Sequence, residues 1–221
     1  MKSRSVRNMV CFMFAFLLGV LPDCHRAVPV APPPQRAPTI ATALDVSTDL
    51  YVEIRCAGSR GEAIIGTGIP ITINRILTAN HVACQRGEIM LAGTPNGTLP
   101  MRLVVLDSVH DLKVLATVVD AGFMSFAKFR DQVTIGETVV GRGAALSAVG
   151  PGCTTIGIVA LHVDGLLLTT NTPLGGMSGS ALVGSDGRVV GMTIGFLKDT
   201  QTGGILSVAV GASHITALLK S

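Results

Sequence analysis

The chain has 221 residues, 48% of them hydrophobic and 14% charged, with 26 glycines. That composition describes one well-buried, turn-rich domain of ordinary size or two small lobes, and it excludes a disordered or acidic tail protein. The formal net charge of +3 resides in residues 1–45, with five basic and two acidic residues, so residues 46–221 hold twelve of each sign and form no polyanion-binding face. No Trp and a single Tyr leave little for a base-stacking surface, and nucleic acid is not an expected partner.

Lys2, Arg4 and Arg7 precede thirteen uncharged apolar residues at 9–21, followed by Pro22 and Asp23. That length suits the core of a secretory signal and falls short of the ~20 residues that span a bilayer. Residues 1–27 are therefore expected to be a signal peptide that exports the chain, or a retained signal anchor that attaches it to a membrane. Ala27 and Ala31 are cleavage candidates with poor partners in His25 and Pro29. Cys24 matches a lipoprotein site only faintly, because Asp23 stands where a small residue belongs. Residues 28–38, VPVAPPPQRAP, hold five prolines in eleven positions and read as an extended tether. The linker is expected to run to residue 44, with the folded domain from Asp45 onward.

From Leu50 onward, short β-branched runs are punctuated by Gly, Asn and Pro. Six candidate strands (50–55, 63–70, 76–79, 89–91, 101–106, 112–119) precede a less regular stretch at 120–131. Six more follow it (138–147, 154–160, 165–170, 180–183, 188–194, 204–210). Turn signals every 8–12 residues predict an all-β barrel or sandwich architecture, in halves at about 45–119 and 132–210. Helix is expected twice, as a short turn after Ala79 and over residues 212–220. In the second, Ser213 can cap, and Ile215, Leu218 and Leu219 recur at helical spacing. Phe123, Phe126 and Phe129 read as packing of the connector on the two halves rather than as a ligand box.

Three segments carry chemistry. In ILTANHVA (76–83) an apolar strand ends and His81 follows at a turn; imidazole is the side chain best suited to general-base work near neutral pH. In HDLKVLAT (110–117) Asp111 stands at the mouth of a strand, where a carboxylate can accept the Nδ1 proton of a histidine. Asp107 is the competing carboxylate, but it follows its strand rather than leading the next. His110 cannot stand in for His81, because adjacent side chains on extended backbone face opposite ways. In TPLGGMSGSALVG (172–184) glycines on both sides of Ser178 allow the N–H groups of Gly176 and Ser178 to converge on a developing oxyanion. Each segment alone has a plain structural reading: a surface histidine, a strand-capping aspartate, a Gly-Ser turn. The elbow of α/β-hydrolases fits poorly, since it demands a helix after the serine and a later histidine.

The order His, Asp, Ser, at separations of 30 and 67 residues, resembles the trypsin-like serine peptidases. LTANH, DLKVL and GMSGSAL are similar to that family's three signature blocks, above all in compact bacterial and viral members related to the HtrA proteases. The resemblance runs from about Leu50 to Leu219 and includes GTG before the first block and VVGMTIG after the third. It implies two six-stranded antiparallel barrels, with His81 as general base, Asp111 orienting it, Ser178 as nucleophile, and the N–H groups of Gly176 and Ser178 as the oxyanion hole. Ser180-Ala181 replaces the family's usual Gly-Pro, and no PDZ-like segment follows. Many relatives carry a cysteine immediately after the histidine; here it is Cys84, three residues on. An exported domain admits one disulfide, and Cys56–Cys84 is the candidate pair, with buried free thiols the alternative. No metal-ligand spacing occurs among the five histidines, and no cofactor is expected.

The resemblance also places the primary substrate pocket. One wall corresponds to residues 171–175, with Thr172 where Arg- or Lys-cleaving members carry an acid. The other corresponds to 192–196, including Thr193, Ile194 and Gly195. Neither wall holds a charge, so cleavage is expected after small or medium apolar residues such as Val, Ala, Leu or Met. The expected partner is a protein or peptide substrate. The alternatives are a protease-like binding module without turnover, and an esterase on another fold.

Overall fold

The computed structural model describes residues 39–59, 61–144, 152–198, 200–201 and 203–221. The expected leader and most of the tether lie outside these residues. Among them, no helix is long and apolar enough to cross a membrane.

All twelve candidate runs form strands. The first six are β1 (Val52–Gly58), β2 (Gly61–Thr72), β3 (Arg75–Ala79), β4 (Ile89–Thr94), β5 (Gly97–Asp107) and β6 (Leu112–Thr117). They close into a barrel in the order β1-β2-β3-β6-β5-β4. The second six are β7 (Thr138–Gly143), β8 (Cys153–Val163), β9 (Leu166–Thr169), β10 (Ala181–Gly184), β11 (Val189–Lys198) and β12 (Ile205–Gly211). They close in the order β10-β11-β12-β9-β8-β7, and every pairing in both barrels is antiparallel. Closure leaves few open edges, which is how short strands rich in Val, Ile and Thr avoid pairing with other chains.

Burial alternates along β1, whereas β3 and β6 are buried on both faces. Val52, Ile54, Ile76, Leu77, Leu112 and Val114 are no more than 1% exposed, and each such side chain contributes about 1.5–3 kcal/mol. Their cluster runs on into Val140, Val183, Met192 and Val210 of the second barrel, so the two barrels share a core. A smaller cluster of Val139, Val159, Leu167, Leu182, Val190 and Ala209 lies within the second barrel.

Helix departs from expectation in three places. Residues 40–44, read as linker, belong to α1 (Ile40–Asp49), which Thr39 caps by accepting from Thr42 N–H at 3.3 Å. Thr, Val, Ser and Asp give this segment poor intrinsic propensity; it is helical because Ala43 and Ser47 are buried against β7 and β10. No helix follows Ala79. The chain makes one turn, Val82 N–H to Ala79 O at 3.2 Å, and a second, Glu88 N–H to Gln85 O at 3.1 Å, before β4. The Lys113 side chain engages the carbonyls of Asn80 and Val82 that a helix would need, and a disulfide holds Cys84 on β1. The C-terminal helix α2 (Ala212–Lys220) is present, but Gly211 is its N-cap and makes no side-chain bond, so Ser213 is not the cap. In the connector, Phe123 is 9% exposed and Phe129 bridges to Val189, whereas Phe126 is 40% exposed and does not join the core.

Candidate active site

His81 leaves the end of β3 on a turn fastened to the entrance of β6. Asn80 N–H donates to Asp111 O at 2.9 Å. The Asp111 carboxylate accepts twice from His81, from the backbone N–H at 2.9 Å and from ring Nδ1 at 2.6 Å. An ionised carboxylate only accepts, so Nδ1 is the donor, and in the neutral imidazole that tautomer leaves Nε2 as an acceptor. Asp111 adopts φ 57°, a left-handed conformation that few residues other than glycine take up, and it does so where the carboxylate must turn back over His81.

Asp107 is engaged elsewhere. It accepts from the backbone N–H groups of Val109 and His110, and its Oδ2 lies 2.6 Å from His110 Nδ1. The bond to the His110 ring, above all, holds its carboxyl below the usual aspartate range. His110 in turn stacks on His214 of α2, with ring centroids 4.0 Å apart.

Ser178 sits in the loop that leads into β10. The loop tightens through Met177 N–H to Leu174 O (3.1 Å) and Ser180 N–H to Met177 O (2.9 Å). Gly176 and Gly179 adopt φ 94° and 89°; a Cβ on Gly179 would also lie 2.0 Å from Thr67 O, so only glycine serves there. Thr67 of β2 reaches across from the first barrel. Its N–H donates to Ser178 O at 2.9 Å, and its hydroxyl donates to Gly176 O while accepting from Ala144 N–H, both at 2.8 Å. Among the described residues, nothing accepts from the N–H of Gly176 or of Ser178, nor bonds the Ser178 hydroxyl.

His81 and Ser178 line one cavity of about 410 Å³. Thr193, Ile194 and Gly195 line it too. Thr172 does not: it is exposed, and the neighbouring Asn171 takes the inner position at 2% exposure. Asn171 Nδ2 donates to Thr155 O at 3.1 Å, and Ser207 Oγ donates to Asn171 O at 2.9 Å. Leu174, Met177 and Phe196 add apolar surface, and among the described residues the lining holds no Asp, Glu, Lys or Arg.

Sequence reasoning missed Thr67 and Lys113. The GTG string gives no sign that its threonine ties the barrels together, and a lysine within LKVLAT gives no sign of burial. Cys56 and Cys84 do pair, with Cα atoms 5.5 Å apart, and Cys153 is free. Among the described residues, Cys56, Cys84 and Glu88 stand close enough to share a metal ion, but the two sulfurs are bonded to each other.

A trypsin-like peptidase domain matches residues 66–192, more than half of the sequence, a span that includes His81, Asp111, Gly176 and Ser178. The chain belongs to the trypsin-like peptidases. No curated protein matches it in sequence. Among solved structures it is similar to a serine endoprotease from Yersinia pestis, with a TM-score of 0.69 and 23% identity over 82% of this chain. It is also similar to the HtrA-type protease AlgW with a tripeptide (TM-score 0.68, 19% identity, 83% of this chain). AlgW with a decapeptide gives the same TM-score at 17% identity over 83% of this chain, and 67% of that one. At these identities the likeness is one of fold. The chain spans 65% of the Yersinia protein and 63% of AlgW in its tripeptide complex.

Proposed function

We propose that this peptidase is an exported endopeptidase that hydrolyses peptide bonds through an acyl-enzyme. The observation that carries the reading is the doubly held His81, its Nε2 free, at the edge of a cavity that Ser178 also lines. Ser178 Oγ attacks the scissile carbonyl as His81 Nε2 takes its proton, and Asp111 stabilises the imidazolium. The oxyanion forms against the N–H groups of Gly176 and Ser178. His81 returns the proton to the leaving amine, then assists the water that releases the acyl group. Among the described residues Ser178 and His81 share no hydrogen bond, and a nucleophile–base bond commonly tightens only in the Michaelis complex.

The neutral lining supports cleavage after Val, Ala, Leu or Met. The polar groups at the base of the pocket are largely bonded to one another, and a buried Lys or Arg would lose hydration without gaining a counter-charge, at a cost of several kcal/mol. The Cys56–Cys84 disulfide and the apolar leader favour an oxidising compartment.

Ser178→Ala is expected to lower kcat about 10⁵–10⁶-fold, and His81→Ala by a similar factor, with little further loss in the double variant. Retention of a tenth of the activity in either single variant would refute the triad assignment, and failure of a fluorophosphonate to label Ser178 would favour a binding module without turnover. A peptide-library profile dominated by Arg or Lys would refute the pocket assignment.

A further inference from the structure

A lysine is rarely buried without a counter-ion, yet Lys113 is 5% exposed in the middle of β6, between Leu112 and Val114 at 0% and 1%. Its ammonium bonds two main-chain carbonyls, Asn80 O at 3.1 Å and Val82 O more closely. Those carbonyls belong to the residues on either side of His81. The β3–β6 register, Thr78 opposite Lys113 and Ala79 opposite Leu112, brings the side chain beneath the turn. We propose that Lys113 is a positioning residue for the His81–Asp111 pair, clamping the carbonyls that flank His81 while Asp111 holds its N–H and its ring.

The turn needs such a clamp because it is not a helix: beyond Val82 N–H to Ala79 O, no regular ladder orients it. Asp111 constrains His81 from one side only. Two donors from a single buried group fix the Asn80–His81 peptide plane and the Val82–Ala83 plane just beyond, and with them the direction in which the imidazole leaves the backbone. Burial pulls the Lys113 amine below the ordinary lysine range while the Asp111 charge opposes that shift, so the group sits where a cation costs stability. Met, of similar reach and no charge, would fill the same space but leave the two carbonyls unclamped.

The inference rests on the reading of His81 as general base, and its test separates the two. Lys113→Met, Lys113→Gln and Lys113→Arg are compared with wild type in steady-state hydrolysis. They are also compared by the low-field proton resonance of the His81 Nδ1–H···Asp111 bond, assigned by its absence in His81→Ala. The expected result for Lys113→Met is a 10- to 100-fold fall in kcat, the scale of a misplacement of about 1 Å. KM should stay within about twofold, the resonance should be broadened or lost, and Lys113→Arg should recover most of both. An unchanged resonance with kcat within twofold of wild type overturns the inference, as does a proportionate loss in kcat and 1/KM with the resonance intact. If the Met variant does not fold, Lys113→Gln decides by the same readings. The resonance needs no turnover. A Lys113-dependent signal in a protein whose activity survives Ser178→Ala would refute the hydrolase mechanism and leave the clamp standing.

Discussion

Two imidazole–carboxylate pairs form within one short stretch of chain, each closed at 2.6 Å, and only one of them opens on the cavity. The difference lies in which backbone each carboxylate also caps. Asp111 bonds the N–H of His81 from 30 residues away, whereas Asp107 bonds the N–H groups of its own turn. Asp111→Asn is therefore expected to reduce kcat by up to about 10⁴-fold without unfolding the protein, because the amide can no longer hold the Nδ1–H tautomer. Asp107→Asn should leave kcat within about twofold, a mild change because it touches no residue of the proposed triad. Its effect belongs to acid stability. The folded carboxyl is held below its ordinary value of 3.8, so the unfolded chain binds more protons in the window between the two values. Stability from this group is fully present above the ordinary value and is lost as pH falls through the lowered one. Denaturation midpoints measured downward from pH 5 should fall less steeply in Asp107→Asn than in wild type; parallel curves would mean that the His110 bond contributes nothing.

At the level of elements, the segment between β3 and β4 has no repeating hydrogen bonds and is held by what it touches. Cys84 is tied to Cys56 of β1 across 28 residues of sequence, and Lys113 and Asp111 hold the other end. Closing a loop of that length contributes roughly 3–4 kcal/mol on the chain-entropy model. The Cys56→Ser/Cys84→Ser variant is accordingly expected to lose about that much stability in urea titration. Near the wild-type temperature optimum it should retain KM while losing kcat, since the freed segment carries His81. A variant as stable as wild type would show that the core and the β6 contacts suffice to hold the segment.

Across the whole molecule, the site exists only because two barrels meet. His81 and Asp111 come from the first, Ser178 from the second, and a core shared by both barrels holds them together. Thr67 is the most direct polar tie, with three bonds to the second barrel from one buried residue. Further ties come from α1, packed on β7 and β10 before the chain enters β1, and from His110 stacked on α2. Thr67→Val keeps the volume and the backbone bond but strands Gly176 O and Ala144 N–H. A loss of about 1–3 kcal/mol is expected, with kcat reduced more than KM because the displaced loop carries both proposed oxyanion N–H groups. A variant that loses stability but not kcat would confine Thr67 to holding the barrels together.

What the amino-acid sequence determined by itself is whatever local chemistry dictates. Period-two alternation and turn residues mark all twelve strands, and Ile215 and Leu218 mark α2. The glycines around Ser178 and the strand ends at His81 and Asp111 mark the candidate triad, because each of these signals spans only a few neighbouring residues. The tertiary structure decided which face of each run is inside. Asn171 rather than Thr172 lines the pocket, since one step along extended backbone reverses a side chain and the register comes from distant strands. Lys113 is buried although it interrupts an apolar run, because β3 brings two carbonyls that only the folded barrel places above it. Residues 40–44 are helix rather than tether because β7 and β10, about a hundred residues later, offer α1 a surface to bury.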